Sequence, residues 1–252
     1  MSENQGFNVV TFGDSSEKAR RQELVELLRT CPVPDEELLL NLGLFLTPAA
    51  LSRILFLNHL YQQILNVQGV VIEFGCRWGQ SLSLFAGLRG IYEPFNRLRK
   101  IIGFDTFEGF PGVTPKDGPK MVPGGYAVTP DYPRYLESIL SLQEKESPLP
   151  HLKKFEIIKG DATKTVVEYF DRNPETIVAL AYFDLDLYEP TRRRLVAIQD
   201  RLTRGSVVGF DELNDPACPG ETLAVKEVLG LRSLAVRRYP QSSRTSYIVI
   251  DG

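Results

Sequence analysis

The sequence predicts an α/β fold: a seven-stranded, mostly parallel sheet with one reversed terminal strand, helices on both faces, and a helical extension ahead of the first strand. Three observations carry this. From residue 69 onward, short β-rich runs alternate five times with helical stretches, which requires crossover connections and so a parallel sheet. The last two alternating segments, 232–240 and 243–251, have no room for a crossover and should form an antiparallel hairpin. An acid stands near the end of every one of the five parallel runs: Glu73, Asp105, Asp161, Asp184 and Asp211.

Taken in order, residues 1–13 read as a polar arm. A helix is expected over 15–30, with serines as candidate N-caps and Leu24, Val25, Leu27 and Leu28 on one face. Pro32 and Pro34 stop it, and a short helix is expected over 35–43. Thr47-Pro48 opens a helix over 48–66, with Leu51, Ile54, Leu55, His59, Leu60 and Ile64 spaced for burial. The strands then fall at 69–75, 99–105, 153–161, 176–184 and 205–212, with helices following the first, third, fourth and fifth. The Pro- and Gly-rich segment 111–135 is long for a loop and is read as lid-like. Two parts result: an arm and helical cap over 1–66, and a ligand-binding domain over 67–252.

Composition bounds the function. The chain has 252 residues, 43% hydrophobic and 24% charged, enough for one large domain with a sizeable core. Net charge is −3 and no basic run exceeds Arg192-Arg193-Arg194, which argues against a nucleic-acid partner. Three cysteines, far apart and without a CxxC pair, argue against a disulfide framework or thiolate zinc site, and two histidines exclude a histidine-rich metal site. No apolar run approaches the ~20 residues that span a bilayer, and no signal-peptide core is visible, so a cytoplasmic protein is expected.

In an open α/β sheet, ligands bind at the carboxyl ends of the strands. The turn EFGCRWGQS, residues 73–81, carries glycines at 75 and 79 but is not GxGxxG, because Arg77 fills the middle position. A cofactor with a carboxylate and an amine, approaching Glu73 and the amides of the turn, fits it better than a pyrophosphate does. Asp105 stands where an acid accepts hydrogen bonds from ribose hydroxyls. Asp161 stands where a carboxylate takes an exocyclic adenine amine, or caps the following helix, or does both. A nicotinamide-dependent dehydrogenase and a non-catalytic nucleotide-binding domain are the alternatives from other classes. The first is weakened by the missing GxGxxG, and the second leaves the acids after the fourth strand without a purpose.

The order ExGxxxG, DTFEGFPG (105–112), GDA (160–162), DLDLYEPT (184–191) and GFDE (209–212) resembles the class I S-adenosylmethionine-dependent methyltransferases. More narrowly it is similar to the sugar O-methyltransferases of antibiotic biosynthesis of the macrocin, mycinamicin and novobiocin type, over roughly residues 70–230. The resemblance implies a Rossmann-like fold and S-adenosylmethionine held by Glu73, Gly75, Gly79, Ser81, Asp105, Thr106, Phe107, Asp161 and Ala162. It implies a deoxysugar hydroxyl as acceptor, with a non-sugar hydroxyl as the near alternative, and a homo-oligomer. The order of Arg77 and Trp78 is swapped relative to that family's usual turn.

The acids after strands four and five come next. Adjacent strand ends lie ~5 Å apart, so Asp184, Asp211 and Glu212 would repel unless a cation lies among them. Oxygen donors alone suit Mg²⁺ or another divalent cation. By the resemblance Asp184, Asp211 and Glu212 are its ligands, although the family often has Asp-Asp where this chain has Asp211-Glu212. Asp186 is the candidate general base, or a helix-flanking acid, with Asp184 sharing the catalytic centre as ligand. Tyr126, Tyr132 and Tyr135 are candidates for contact with a sugar or base. Lys116, Lys120, Arg134 and Arg192 are candidates for a substrate diphosphate, and His59 reads as a packed side chain.

Overall fold

The computed structural model describes residues 14–251, and the arm expected over 1–13 lies outside them. Helix α1 spans Ser15–Arg29, with Asp14 rather than a serine as its N-cap, accepting from the N–H of Glu17 at 2.7 Å. A short α2, Asp35–Leu38, runs into a 3₁₀ segment, Leu39–Phe45, and Thr47 caps α3, Pro48–Gln63. The remaining elements are β1 Val70–Phe74, α4 Gln80–Tyr92, β2 Ile101–Asp105, α5 Tyr132–Lys145, β3 Phe155–Lys159, α6 Ala162–Arg172, β4 Val178–Phe183, α7 Tyr188–Ile198, β5 Leu202–Phe210, α8 Gly220–Val228, β6 Arg237–Arg238 and β7 Ser246–Val249.

One sheet of order β3-β2-β1-β4-β5-β7-β6 results. The first five strands pair in parallel, and β7 runs antiparallel to both β5 and β6, so a single strand is reversed, as expected. The expected strand over 232–240 shrinks to two residues at the edge. Helix α5 is a difference from the sequence reading, which left 136–152 unassigned. Pro133 sits in its first turn, where a missing N–H costs nothing, and Leu136, Leu140 and Glu144 recur at i, i+4 to give the buried stripe.

Alternation along the strands divides the core between two faces. Val71, Ile101, Leu180, Tyr182 and Val207 meet Phe56, Leu57 and Leu60 of α3 and Phe85 of α4. Ile72, Phe74, Ile102, Phe104, Phe183 and Phe210 meet α6, α7 and α8. Helix α3 is therefore a layer of the sheet domain itself. Its seat on β5 requires Gly209, where a Cβ would lie 2.5 Å from Leu60 Cδ1. The buried face is rotated from the expected one: Phe56, Leu57, Leu60, Tyr61 and Ile64 are buried, whereas Leu51 and Leu55, one turn apart, lie on the outward face with Gln62. The buried guanidinium of Arg99 fixes the far end, donating to the carbonyls of Ile64 and Val67 at 3.0 and 2.8 Å. At the amino ends of the strands, Glu144 is buried between Arg89 and Lys154, 2.5 and 2.6 Å away. Among the described residues no single helix is long and apolar enough to cross a membrane.

Candidate active site

A cavity of about 380 Å³ opens over the carboxyl ends of β1, β2, β4 and β5. Its geometry starts at Gly75, whose φ of +90° turns the chain out of β1. A Cβ there would fall 1.9 Å from the backbone oxygen of Asp184, so only glycine lets the two strand ends approach. Gly79, also left-handed, then starts α4 and leaves its first N–H groups facing the cavity side.

Glu73 is 1% exposed, and its Oε2 has no hydrogen-bond partner. Burial, with the Asp184 carboxylate adding repulsion, pushes its pKa up to about 8, although Arg53 pulls in the other direction. An acidic proton donor or an ionised acceptor awaiting a cation is the chemistry that such a group offers. The Asp105 carboxylate accepts the N–H of Arg77 at 2.8 Å and of Phe107 at 2.5 Å, which folds the β2 turn around it. Its pKa is raised by burial.

Of the other residues implied for the cofactor, Gly75, Ser81, Asp105 and Thr106 line the cavity. Phe107 does not: its ring is buried in the core beside α5, and its contribution is the backbone N–H. Asp161 accepts through its carbonyl from Lys164 and Thr165 at the start of α6, the helix that Ala162 opens.

The acids after β4 and β5 sort into two pairs. Arg53 of α3 bridges the first: its guanidinium contacts Asp184, lies 2.8 Å from Asp211 Oδ1, and donates to Ser81 Oγ at 3.1 Å. Tyr182 donates its hydroxyl to the same Asp211 oxygen at 2.8 Å. Even with Arg53 beside it, burial lifts Asp184 to about 7. The second pair is Asp186 and Glu212, both buried and close to each other. Burial and then the neighbouring Asp186 carboxyl push Glu212 far above the carboxylate range. Ligand atoms of Asp186, Glu212 and Cys218 lie within 4.8 Å of one another, and Glu212 Oε2 has no hydrogen-bond partner. Arg244 contacts Glu212 and pairs with Asp215 at 2.9 Å. The three acids that the sequence grouped, Asp184, Asp211 and Glu212, are thus divided between these pairs.

Asp186 holds its position at a φ of +58°, rare for a residue other than glycine. Two contacts brace it. Buried Asp117 accepts the first free N–H of α7, from Tyr188, at 2.5 Å, and its other oxygen accepts from Thr114 N–H and Oγ1. Gly220 packs against the Asp186 carbonyl from α8. The segment from 111 to 131 is therefore pinned to the loop that carries Asp186.

Several side chains escaped the sequence reading. Arg53 carried a signal, as the one Lys, Arg, Asp or Glu in the otherwise apolar helix PAALSRILFLNHLYQQ. Arg194 was hidden inside a basic run, and Arg244 inside a polar turn. These three and Arg77 supply the cationic lining of the cavity; Lys116, Lys120, Arg134 and Arg192 do not line it. Tyr126 lines the cavity beneath Arg77, whose guanidinium is 4.9 Å from the ring centre. Tyr132 packs edge-on against Trp78, Tyr135 is exposed, and His59 packs between Tyr239 and Tyr247.

No protein-family model and no curated protein sequence matches the chain. Solved structures do. CalS11, calicheamicin methyltransferase, is 43% identical over 99% of this chain and 98% of its own, with a TM-score of 0.92. An apo structure of CalS11, described as a TDP-rhamnose 3'-O-methyltransferase of calicheamicin biosynthesis, is 41% identical over 97% and 99% of the two chains, with a TM-score of 0.84. The O-methyltransferase NovP is 17% identical over 80% of each chain with a TM-score of 0.61, a likeness of fold. With near-complete coverage at this identity, the chain belongs to the O-methyltransferase family that CalS11 represents and is itself an O-methyltransferase.

Proposed function

We propose that the enzyme transfers a methyl group from S-adenosylmethionine to a hydroxyl of a deoxysugar, nucleotide-linked or part of a natural-product glycoside, in secondary metabolism. The observation that carries this is the placement of the Asp186–Glu212 pair across one cavity from Ser81 and Asp105, in a chain 43% identical to a calicheamicin methyltransferase. One half of the cavity suits a zwitterion and a ribose, and the other suits the activation of a weakly acidic hydroxyl.

The N–H groups at the start of α4 and Ser81 would receive the carboxylate of the donor. Glu73, whose second oxygen lacks a partner, would receive its ammonium. Asp105 would accept from the ribose hydroxyls with lone pairs left over from the turn, and Asp161 from the adenine amine. Leu185 and Phe110 line the cavity and exclude water from the reacting centre. Held in line, the donor's activated methyl needs alignment more than it needs further activation. As the hydroxyl oxygen attacks, Asp186 accepts its proton, and the products are the methyl ether and S-adenosylhomocysteine.

A divalent cation fits the same place. Glu212 Oε2 is a buried carboxylate oxygen without a partner beside a second carboxylate, a donor set suited to a hard ion. Glu212 and Asp186 would hold it, while Asp184 and Asp211 are both engaged by Arg53. When bound, the cation supplies a lower hydroxyl pKa and a fixed direction for the acceptor oxygen. The exposed leucines between α2 and α3, Leu40 at 87% among them, support the further reading that the enzyme self-associates.

The test is methyl transfer from labelled S-adenosylmethionine across a panel that includes TDP-rhamnose, other nucleotide-sugars, glycosylated natural products and catechols, with the product hydroxyl assigned by NMR. Transfer only to catechols, or to no sugar, would sink the sugar reading.

A further inference from the structure

Arg194 is a charged side chain in the cavity that this chemistry does not use. Arg194, on the second turn of α7, is 5% exposed, yet its Nε and Nη1 have no hydrogen-bond partner. It lines the cavity, with its guanidinium carbon 5.8 Å from the centre of the Phe74 ring. Burial lowers its pKa to about 10, against the pull of Asp161 and Asp105, its nearest acids. A buried guanidinium with unmet N–H groups is costly in a folded protein, and an acceptor brought by a ligand would relieve that cost.

The position of Arg194 says which acceptor. It lines the cavity beside Phe74 at the end of β1, within electrostatic reach of Asp105 after β2 and Asp161 after β3, the side where the reading above puts the nucleoside of the donor, and this inference rests on that reading. Asp105 and Asp161 are acceptors only, suited to the ribose hydroxyls and the adenine amine. The ring nitrogens of adenine are acceptors too, and no carboxylate can serve them. An arginine in the cavity, on the side of Asp105 and within electrostatic reach of Asp161, supplies a donor to go with these acceptors, the complement of the adenine edge where N1 or N7 adjoins the 6-amino group.

The geometry points to Arg194 as the residue that reads the adenine ring of the methyl donor, donating to the ring nitrogen next to the amine. It is a determinant of nucleoside specificity, separate from the acids that act on the acceptor.

Calorimetric binding of S-adenosylhomocysteine and its 1-deaza, 3-deaza and 7-deaza analogues tests this in the wild type, Arg194→Met and Arg194→Lys. The wild type should bind S-adenosylhomocysteine and the 3-deaza analogue alike, and should lose about 10–100-fold for the 1-deaza or the 7-deaza analogue, the range for a hydrogen bond from a charged donor. Arg194→Met should bind S-adenosylhomocysteine weaker by that factor and no longer distinguish the analogues. Arg194→Lys, which keeps the charge but not the planar fork, should discriminate less than wild type, and it carries the test if the Met variant does not fold. Three analogues that bind the wild type equally, a loss confined to 3-deaza, or discrimination unchanged in the variants would each overturn the inference while leaving the methyltransferase reading intact. A wild type that binds no S-adenosylhomocysteine would overturn both.

Discussion

Arg53 and Asp211 meet at 2.8 Å although 158 positions separate them, and through this contact the N-terminal helices enter the catalytic centre. The guanidinium also holds Asp184, so two half-buried carboxylates depend on one cation. Arg53→Met should destabilise the ligand-free enzyme by on the order of 2 kcal/mol, less than the ~3–5 of a fully buried pair, because all three groups keep some solvent access. Urea unfolding measures this, and an unchanged midpoint would show that water serves the two acids as well as the arginine does.

On the proposed reading, Asp186 and Glu212 are the groups that act on the acceptor. Asp186→Asn should lower kcat by about 10²–10⁴-fold, the usual worth of a positioned base, with affinity for S-adenosylhomocysteine unchanged. Glu212→Gln should remove Mn²⁺ binding as seen by electron paramagnetic resonance. Wild-type turnover in Asp186→Asn would return that residue to a role at the start of α7.

Glu73 sets a pH dependence. The native state keeps its proton to about pH 8, whereas the unfolded chain releases it near 4.5. The native state therefore binds more protons in that window, and this residue's contribution to stability falls as pH rises from 4.5 to about 8. An ammonium beside Glu73 favours the carboxylate, so binding of S-adenosylhomocysteine should release up to one proton and tighten as pH rises towards 8. Calorimetry in buffers of different ionisation heat reads that proton, and Glu73→Gln should abolish its release.

Gly75→Ala places a methyl 1.9 Å from a backbone oxygen that cannot swing aside. With the positive φ, the cost should be on the order of 3 kcal/mol or more, and the donor side of the cavity should be lost with it. A soluble Gly75→Ala enzyme with wild-type affinity for S-adenosylhomocysteine would contradict the close approach of β1 and β4.

Glu144→Gln, at the opposite end of the sheet, leaves Arg89 and Lys154 buried without their anion. Thermal and urea unfolding should show a loss of about 3–5 kcal/mol. The folded fraction should keep its kcat, because the cluster lies at the amino ends of the strands.

Local pattern was enough for the five parallel strands: a strand buried on both faces, as β1 and β4 are, must be apolar along its length and end at a polar loop, and edge strand β3 still carries a short apolar run ending at Gly160. The acids at those ends were legible for the same reason. Their partners were not. Whether Asp184 meets Arg53 or Glu212 depends on how α3 crosses the sheet, and no spacing in the chain records that. Arg194 lies beside Arg192 and Arg193, which pair with Glu189 at the surface, and only the helical rotation separates one inward residue from two outward ones. Helix α5 was hidden because the prolines and glycines just before it read as a continuing loop.

The tie between Asp117 and Tyr188 makes access and aim a single linkage. Any swing of the 111–131 segment that lets a bulky acceptor enter must first unseat Asp117 from the turn that holds Asp186 at its unfavourable angle. On the proposed reading, an open enzyme would thus be an unarmed one, with Asp186 brought to bear on the acceptor only after the doorway had shut.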